Sequence, residues 1–267
     1  MKGELIILKL GGSVITFKNS FEKANLKVLR RIAGEVKEAI GDKRLIIVHG
    51  GGSFGHPHAY KYKLHLGFRA SSQLPGVLET HMAMEKLNKI VVEEFSSQGL
   101  PTFPFQVSSS TLTSNGEIDL FPLNPLRRMI ELGIIPILYG DVVFDRQLGF
   151  CILSGDKICS FLAVFLKASK LIFICDVDGV YDSNPKLKSP SKFYDKLSLD
   201  ELKLLLRKFK SFSSSLDVTG GFYGKLVEAS KAVEKGVNVL IVNGLFPGRV
   251  SAAIRGVDFI GTRISVK

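Results

Sequence analysis

Only three cysteines occur in 267 residues, and no two of them form a C-x-x-C pair. Cys151, Cys159 and Cys175 each stand in apolar sequence, so they read as buried free thiols of a reducing compartment. No apolar run approaches the roughly 20 residues that a spanning helix needs. Leu5–Leu10, near the start, is also too short for a signal-peptide core, which makes a cytoplasmic chain the expectation. Internal repeats and linker-like composition are missing too. Residues 1–267 therefore read as one compact unit, with two lobes either side of about residue 170.

Acidic residues are in deficit, 25 against 36 Lys and Arg, for a formal net charge of +11. The basic residues are dispersed. The densest stretch, Lys203–Lys210, alternates with Leu and Phe as an amphipathic helix does. The charge thus reads as a solvated surface that favours anionic substrates, with no nucleic acid and no membrane as partner.

What is present is a regular alternation. Short apolar runs at Leu5–Leu10, Arg44–Val48, Thr102–Val107, Ile134–Tyr139, Leu171–Cys175 and Val237–Val242 predict strands, most of them apolar throughout, as parallel strands covered on both faces are. Helices are predicted over Ala24–Ile40, Val77–Ser97, Pro125–Leu132, Ser154–Leu166, Leu199–Lys208, Gly221–Lys235 and Pro247–Ile254. Gly41, Gly99, Gly133 and Gly236 mark helix ends. Asp141–Phe150 reads as a hairpin, and Ser211–Ser215 as a polar, mobile connector. The fold class this predicts is α/β: a doubly wound, mainly parallel sheet sandwiched by helices.

Two glycine clusters close successive strands: Lys9-Leu10-Gly11-Gly12-Ser13 and His49-Gly50-Gly51-Gly52-Ser53-Phe54-Gly55-His56. Backbone N–H groups without Cβ neighbours approach phosphate oxygens closely, and ligands of open parallel sheets bind at strand carboxyl ends. Gly50, Gly52 and Gly55 also satisfy G-x-G-x-x-G, but Pro57 follows and no acid lies between Leu64 and Leu78. No helix is expected to open there, and nicotinamide binding is excluded. A Walker pattern is absent as well.

Phosphoryl transfer needs cations around the β- and γ-phosphates and an anchor for the acceptor. Lys9 ends an apolar strand beside a glycine turn, and Lys18 lies beyond that turn. Ser154-Gly155-Asp156 precedes a helix that Asp156 would cap while orienting lysines or coordinating Mg²⁺. Asp176-Val177-Asp178-Gly179-Val180-Tyr181 follows another strand, and Asp217-Val218-Thr219-Gly220-Gly221 with Lys225 opens a further helix. His49, His56 and His58 lack the rigid support of a zinc site, and His56 instead suits a hydrogen bond to an anion. Leu78 and Met82, four apart on one helix, read as core, as do Phe150 and Ile152.

These motifs, in this order and over nearly the whole chain, resemble the amino-acid-kinase superfamily. Gly52-Ser53-Phe54-Gly55-His56, with Tyr139-Gly140-Asp141-Val142 and Phe259-Ile260-Gly261-Thr262, is similar to its isopentenyl phosphate kinases. The resemblance implies an αβα sandwich, ATP and Mg²⁺, isopentenyl phosphate as acceptor, in-line transfer and a homodimer. It implies an acceptor-binding lobe to about residue 170 and a nucleotide-binding lobe beyond it. Lys9 and Lys18 would neutralise the phosphates and Asp156 would orient them. Gly51, Gly55, His56 and Gly155 would hold the acceptor. Gly11, Gly12, Ser13, Gly52, Asp176, Asp178, Tyr181, Gly220, Gly221 and Lys225 would surround the nucleotide, with no metal ligand assigned to the protein. Two positions depart from the pattern: Lys157, where many relatives carry a second acid, and Cys175, where threonine is common. A nucleoside monophosphate, phosphonate or carboxylate acceptor stays open, as does a non-catalytic nucleotide binder.

Overall fold

The computed structural model describes residues 3–183, 191–211 and 221–266. Strand β1 (Leu5–Leu10) leads through one helical turn, α1 (Gly12–Ile15), to α2 (Leu26–Ala39) and β2 (Arg44–His49). Then come α3 (Gly52–Lys61), α4 (Leu74–Ser96), β3 (Thr102–Pro104), β4 (Leu112–Ser114), β5 (Glu117–Leu120), α5 (Leu123–Glu131) and β6 (Ile135–Tyr139). The hairpin β7 (Asp141–Asp145) and β8 (Gly149–Leu153) leads to α6 (Gly155–Phe165) and β9 (Lys170–Cys175). The remainder is β10 (Val180–Tyr181), β11 (Phe193–Tyr194), β12 (Lys196–Ser198), α7 (Leu199–Ser211), α8 (Phe222–Glu234), β13 (Asn238–Asn243), α9 (Arg249–Arg255) and β14 (Gly261–Ser265).

The main sheet runs β12-β14-β13-β9-β1-β2-β6-β3, and every neighbouring pair is parallel except β13 with β14. The mainly parallel sheet between helical layers is as expected. β1 sits between β2 and β9, so the chain winds away from it in both directions. That arrangement opens a crevice at its carboxyl end, beside Lys9 and the first glycine turn.

Each central strand feeds two cores, because successive side chains point to opposite faces. Leu5, Ile7, Ile46, Val48, Leu171, Phe173, Val239 and Ile241 enter one core with α6 and α8 residues such as Leu162 and Leu226. Ile6, Leu8, Leu10, Ile47, Ile172 and Val242 enter the other with α2 and α4 residues such as Ile32 and Leu87. Among the described residues, no helix is long and apolar enough to cross a membrane.

Several expectations are corrected. The strand expected to run to Val107 ends at Pro104, at the sheet edge, where proline supplies no ladder N–H. A helix does open within the second glycine cluster: α3 contains Pro57. The carbonyl that a residue-57 N–H would have bonded is that of Ser53, and it accepts the Glu22 N–H at 3.0 Å instead. Leu78 and Met82 are not core; with Leu74 they form an exposed stripe along α4, 52–59% accessible. Phe150 is buried against Leu64 and Val142, with Ile152 packed alongside.

A second sheet, β5-β4-β7-β8, overhangs α6 and is tied by Asp145. Its carboxylate accepts from the Asn115, Gly116, Gln147 and Leu148 N–H groups and from the Thr113 hydroxyl, at 2.8–3.1 Å. Burial would raise its pKa, and these donors outweigh that and push it far below the usual range. Asp145→Asn should therefore cost roughly 2–3 kcal/mol in urea unfolding at neutral pH. A depressed folded pKa contributes stability above the unfolded value of about 4, so the gap from wild type should shrink as the pH falls below it.

Candidate active site

Three turns meet at the carboxyl end of β1. A Cβ on Gly12 would stand 2.4 Å from the Gly52 nitrogen, so the first two glycine turns touch backbone to backbone. Gly52, with φ +49°, lies in the left-handed region, and a side chain there would strike Gly12 and Thr16. Gly11 caps α1 and donates its N–H to the Ile174 carbonyl, while Gly51 and Gly55 face the Met84 thioether of α4. The third turn is Ser154–Gly155, whose Gly155 lies against the His49 carbonyl. Ser154, not Asp156, caps α6, its hydroxyl accepting the Lys157 N–H at 3.2 Å. A hydroxyl at that position is the ordinary cap, and it leaves the Asp156 carboxylate free for other partners.

Those partners are lysines. Two-residue alternation puts Lys9 on the same face of β1 as Leu5 and Ile7, the face covered by α6 and α8. There Asp156 Oδ1 meets Lys9 Nζ at 2.8 Å and Lys225 Nζ at 2.9 Å. The side chains of Lys9, Asp156 and Lys225 are 8%, 13% and 7% accessible. Burial would raise the Asp156 carboxyl, but Lys225 and Lys9 together hold it down at about 2. Burial opposes charge on Lys225 too, and Asp156 outweighs it; on Lys9, burial and the nearby Lys225 win, and the pKa is lowered. The Lys225 ammonium also lies 4.8 Å from the Phe173 ring centroid. Two buried cations on one carboxylate leave one positive charge unbalanced, in a place where an anion gains most from it.

Lys18, 57% accessible, reaches across the crevice to Asp176 Oδ2 at 2.8 Å, while the Ser13 hydroxyl donates to Oδ1 at 3.0 Å. Asp178 accepts from Asn243 Nδ2 at 3.0 Å and pairs with Arg249, whose guanidinium lies 4.3 Å from the Phe246 centroid. Tyr181 stands in β10 against Phe193, and Gly221 caps α8. Gly220, with Asp217 to Thr219 and most of the Ser211–Ser215 connector, lies outside the described residues. His56 is solvent-exposed at the mouth of the site. Packing around it and the Lys9 charge lower its pKa, against Asp156, which raises it.

Both departures from the family pattern have a structural account. Lys157 turns to the β4–β5 hairpin, donating to the Gly116 carbonyl and Glu117, each at 2.7 Å. Cys175 is buried, with its thiol pKa raised by burial. Among the described residues, no three of His, Cys, Asp or Glu are grouped to hold a metal ion.

Sequence reasoning did not find Asn243 or Arg249, and it weighed His49 only as a metal ligand. His49 is fully buried beneath the second turn, bonded to Asn88 and the Gly50 carbonyl at 3.2 Å and stacked on Tyr139. Burial lowers its pKa to about 4. The one sequence signal for Arg249 was its place at the start of a predicted helix. Nothing local linked it to Asp178, 71 residues earlier.

The profile of the amino acid kinase family matches residues 4–243. The chain is 38% identical over 271 residues to the isopentenyl phosphate kinase of Methanothermobacter thermautotrophicus, covering 98% of this chain and 100% of that one. It is 35% identical to the isopentenyl phosphate kinase of Methanocaldococcus jannaschii, covering 97% and 98% respectively. Among solved structures, one described as isopentenyl phosphate kinase superposes with a TM-score of 0.85 at 35% identity, over 98% of this chain and 100% of that chain.

The unbalanced charge makes two substitutions act in opposite directions. Asp156→Asn leaves two buried ammoniums facing each other and should cost roughly 3–5 kcal/mol of stability. Lys9→Met leaves a one-to-one Asp156–Lys225 pair and should stay within about 1 kcal/mol of wild type, or exceed it. Denaturant unfolding of both variants in low salt reads the difference directly.

Proposed function

The chain belongs to the amino acid kinase family, and from that premise we propose that it moves the γ-phosphoryl group of Mg-ATP onto isopentenyl phosphate, giving isopentenyl diphosphate and ADP. The observation that carries the transfer is the Lys9–Asp156–Lys225 cluster with its surplus positive charge at the meeting of the glycine turns. Full-length similarity to isopentenyl phosphate kinases supplies the acceptor.

In this reading an oxygen of the acceptor phosphate attacks the γ-phosphorus in line. The bond to the β–γ bridging oxygen breaks, and its electron pair leaves with ADP. The acceptor oxygen is already ionised near neutral pH, so no strong general base is required. Lys9 and Lys18 meet the charge on the transferring group, and Asp156 fixes Lys9 and Lys225 in place. His56, with Gly51, Gly55 and Gly155, holds the acceptor phosphate, and its imidazole takes up a proton as the dianion docks. Gly11, Gly12, Ser13, Gly52, Asp176, Asp178, Tyr181, Gly221 and Lys225 flank the nucleotide. Mg²⁺, when bound with the nucleotide, would neutralise part of the phosphate charge. Acceptor and nucleotide then divide between lobes that meet near residue 170. We place the enzyme in the cytoplasm, as a homodimer, for which the exposed Leu74, Leu78 and Met82 stripe offers a face.

Phosphorus NMR with Mg-ATP and isopentenyl phosphate, and uridine monophosphate in parallel, should show diphosphate and ADP appearing together with the first acceptor alone. ADP formed only with uridine monophosphate would retain the kinase and reject the acceptor. His56→Ala should raise the acceptor KM roughly tenfold or more, the scale of a lost charge-assisted bond, while the ATP KM moves less than about twofold. Leu78→Glu should shift light scattering from dimer to monomer mass, and a monomeric wild type would remove the dimer.

A further inference from the structure

Residues 16–24 form a tight turn that carries Lys18. Thr16 bridges Ala24, the Phe17 N–H donates to the Lys23 carbonyl at 3.0 Å, and the Ser20 N–H donates to the Phe17 carbonyl at 3.2 Å. One side of the turn reaches the carboxyl end of β9 through Lys18 and Asp176. The other side rests on α3, the helix that carries Gly55 and His56. There the Glu22 N–H bonds the Ser53 carbonyl at 3.0 Å, and the Lys23 N–H bonds the Ser53 hydroxyl at 3.3 Å.

His58 clamps this second side. Its Nε2 stands 3.0 Å from Glu22 Oε1 and its Nδ1 stands 3.1 Å from Glu79 Oε2 on α4. The ring is 13% accessible at the side chain, and the Phe21 ring meets it edge-on at 5.2 Å. The ring therefore meets one carboxylate at each nitrogen and ties Glu22 of the turn to Glu79 of α4. Both carboxyls are held below their ordinary pKa: Glu22 by Lys86 and His58 against burial, and Glu79 first by the Tyr62 hydroxyl. Lys86 adds a 2.7 Å bond to Glu22 Oε2, and Lys61 lies 3.4 Å from Glu79.

We propose that His58 is a positioning residue: bridging Glu22 and Glu79, it locks the 16–24 turn onto α3 and so fixes Lys18 in the crevice opposite Asp176. Its role for Lys18 rests on the kinase reading above. Lys18 is the exposed member of the site's cations, on a turn that is itself neither strand nor helix and is seated on α3, and this clamp adds to the order that seat supplies. Misplacement by about 1 Å is enough to cost a reaction up to a hundredfold.

His58→Gln removes one of the two carboxylate contacts. Its turnover number should fall roughly tenfold while the acceptor KM moves less than about twofold, because His56 and the glycine turns are untouched. In a Lys18→Ala background the same substitution should cause no further fall, since His58 acts through Lys18. Hydrogen exchange at the Glu22 and Lys23 amides should rise roughly tenfold, the mark of a local opening. Lys86→Gln, at an exposed position, should move exchange and turnover the same way by less, which guards against a His58→Gln that fails to fold. Equal losses of turnover with and without Lys18, or unchanged exchange at both amides, overturn the proposal. The exchange measurement needs no acceptor. A wild type inert toward isopentenyl phosphate and uridine monophosphate alike, with exchange raised in His58→Gln, would count against the kinase reading and leave the clamp standing.

Discussion

One carboxylate between two buried ammoniums is the interaction on which the site depends. Asp156 cannot balance both Lys9 and Lys225, and both sit where solvent does little to help. A fold tolerates such an imbalance only if something else makes the position worthwhile, because a buried unpaired charge costs several kcal/mol. Here the cost falls due in the free protein and is returned when an anion enters. The cations are already in place and already stripped of water, so charge arriving or developing there needs no rearrangement to be met. The architecture follows from this need. Lys9 comes from the central strand, Asp156 from the first turn of α6 and Lys225 from α8, and the sheet with its α6–α8 layer brings them together on one face.

The glycines answer a different constraint. Cations at a strand end are of little use if side chains fill the space above them. The Gly12–Gly52 contact lets two turns close to backbone distance, and Gly155 lets the third lie against His49. Pro57 belongs to the same economy of backbone groups. By withholding an N–H inside α3 it leaves the Ser53 carbonyl for Glu22, and so turns a local flaw in one helix into the seat of a neighbouring loop.

Legibility in the sequence divides along physical lines. Leu5–Leu10 was readable to the residue because a parallel strand covered on both faces must be apolar throughout. β14 was not, because Gly261-Thr262-Arg263-Ile264-Ser265 lies toward the sheet edge and alternates polar with apolar. α3 was missed because proline reads as a breaker, and the tertiary bond that compensates it is 31 residues away in sequence. Lys9, Asp156 and Lys225 were each visible as charged residues at element ends. Their sharing of one oxygen was not, since Asp156 and Lys225 lie 69 residues apart. Leu78 and Met82 failed in the opposite sense: periodicity fixed their common face on α4, and nothing in the pattern says whether that face meets a core or the exterior.

A division of labour follows from where the polar partners lie. Lys9, Lys225 and the carboxylates Asp156 and Asp176 sit at strand ends and first helical turns, and in the proposed reading they address charge without regard to what the charge is attached to. The groups around His56 are of another kind. α3 rests on α4 through Met84, on the 16–24 turn through Ser53, and on two glutamates through His58. Each of these contacts is made outside the main sheet, at positions the sheet does not dictate. A substitution there can alter the acceptor end without disturbing the Lys9–Asp156–Lys225 cluster, whereas a substitution in the cluster unbalances a buried charge and is felt by the whole α6–α8 layer. In the proposed reading, selectivity for the acceptor is therefore the part of this molecule with most freedom to change, and charge recognition the part with least.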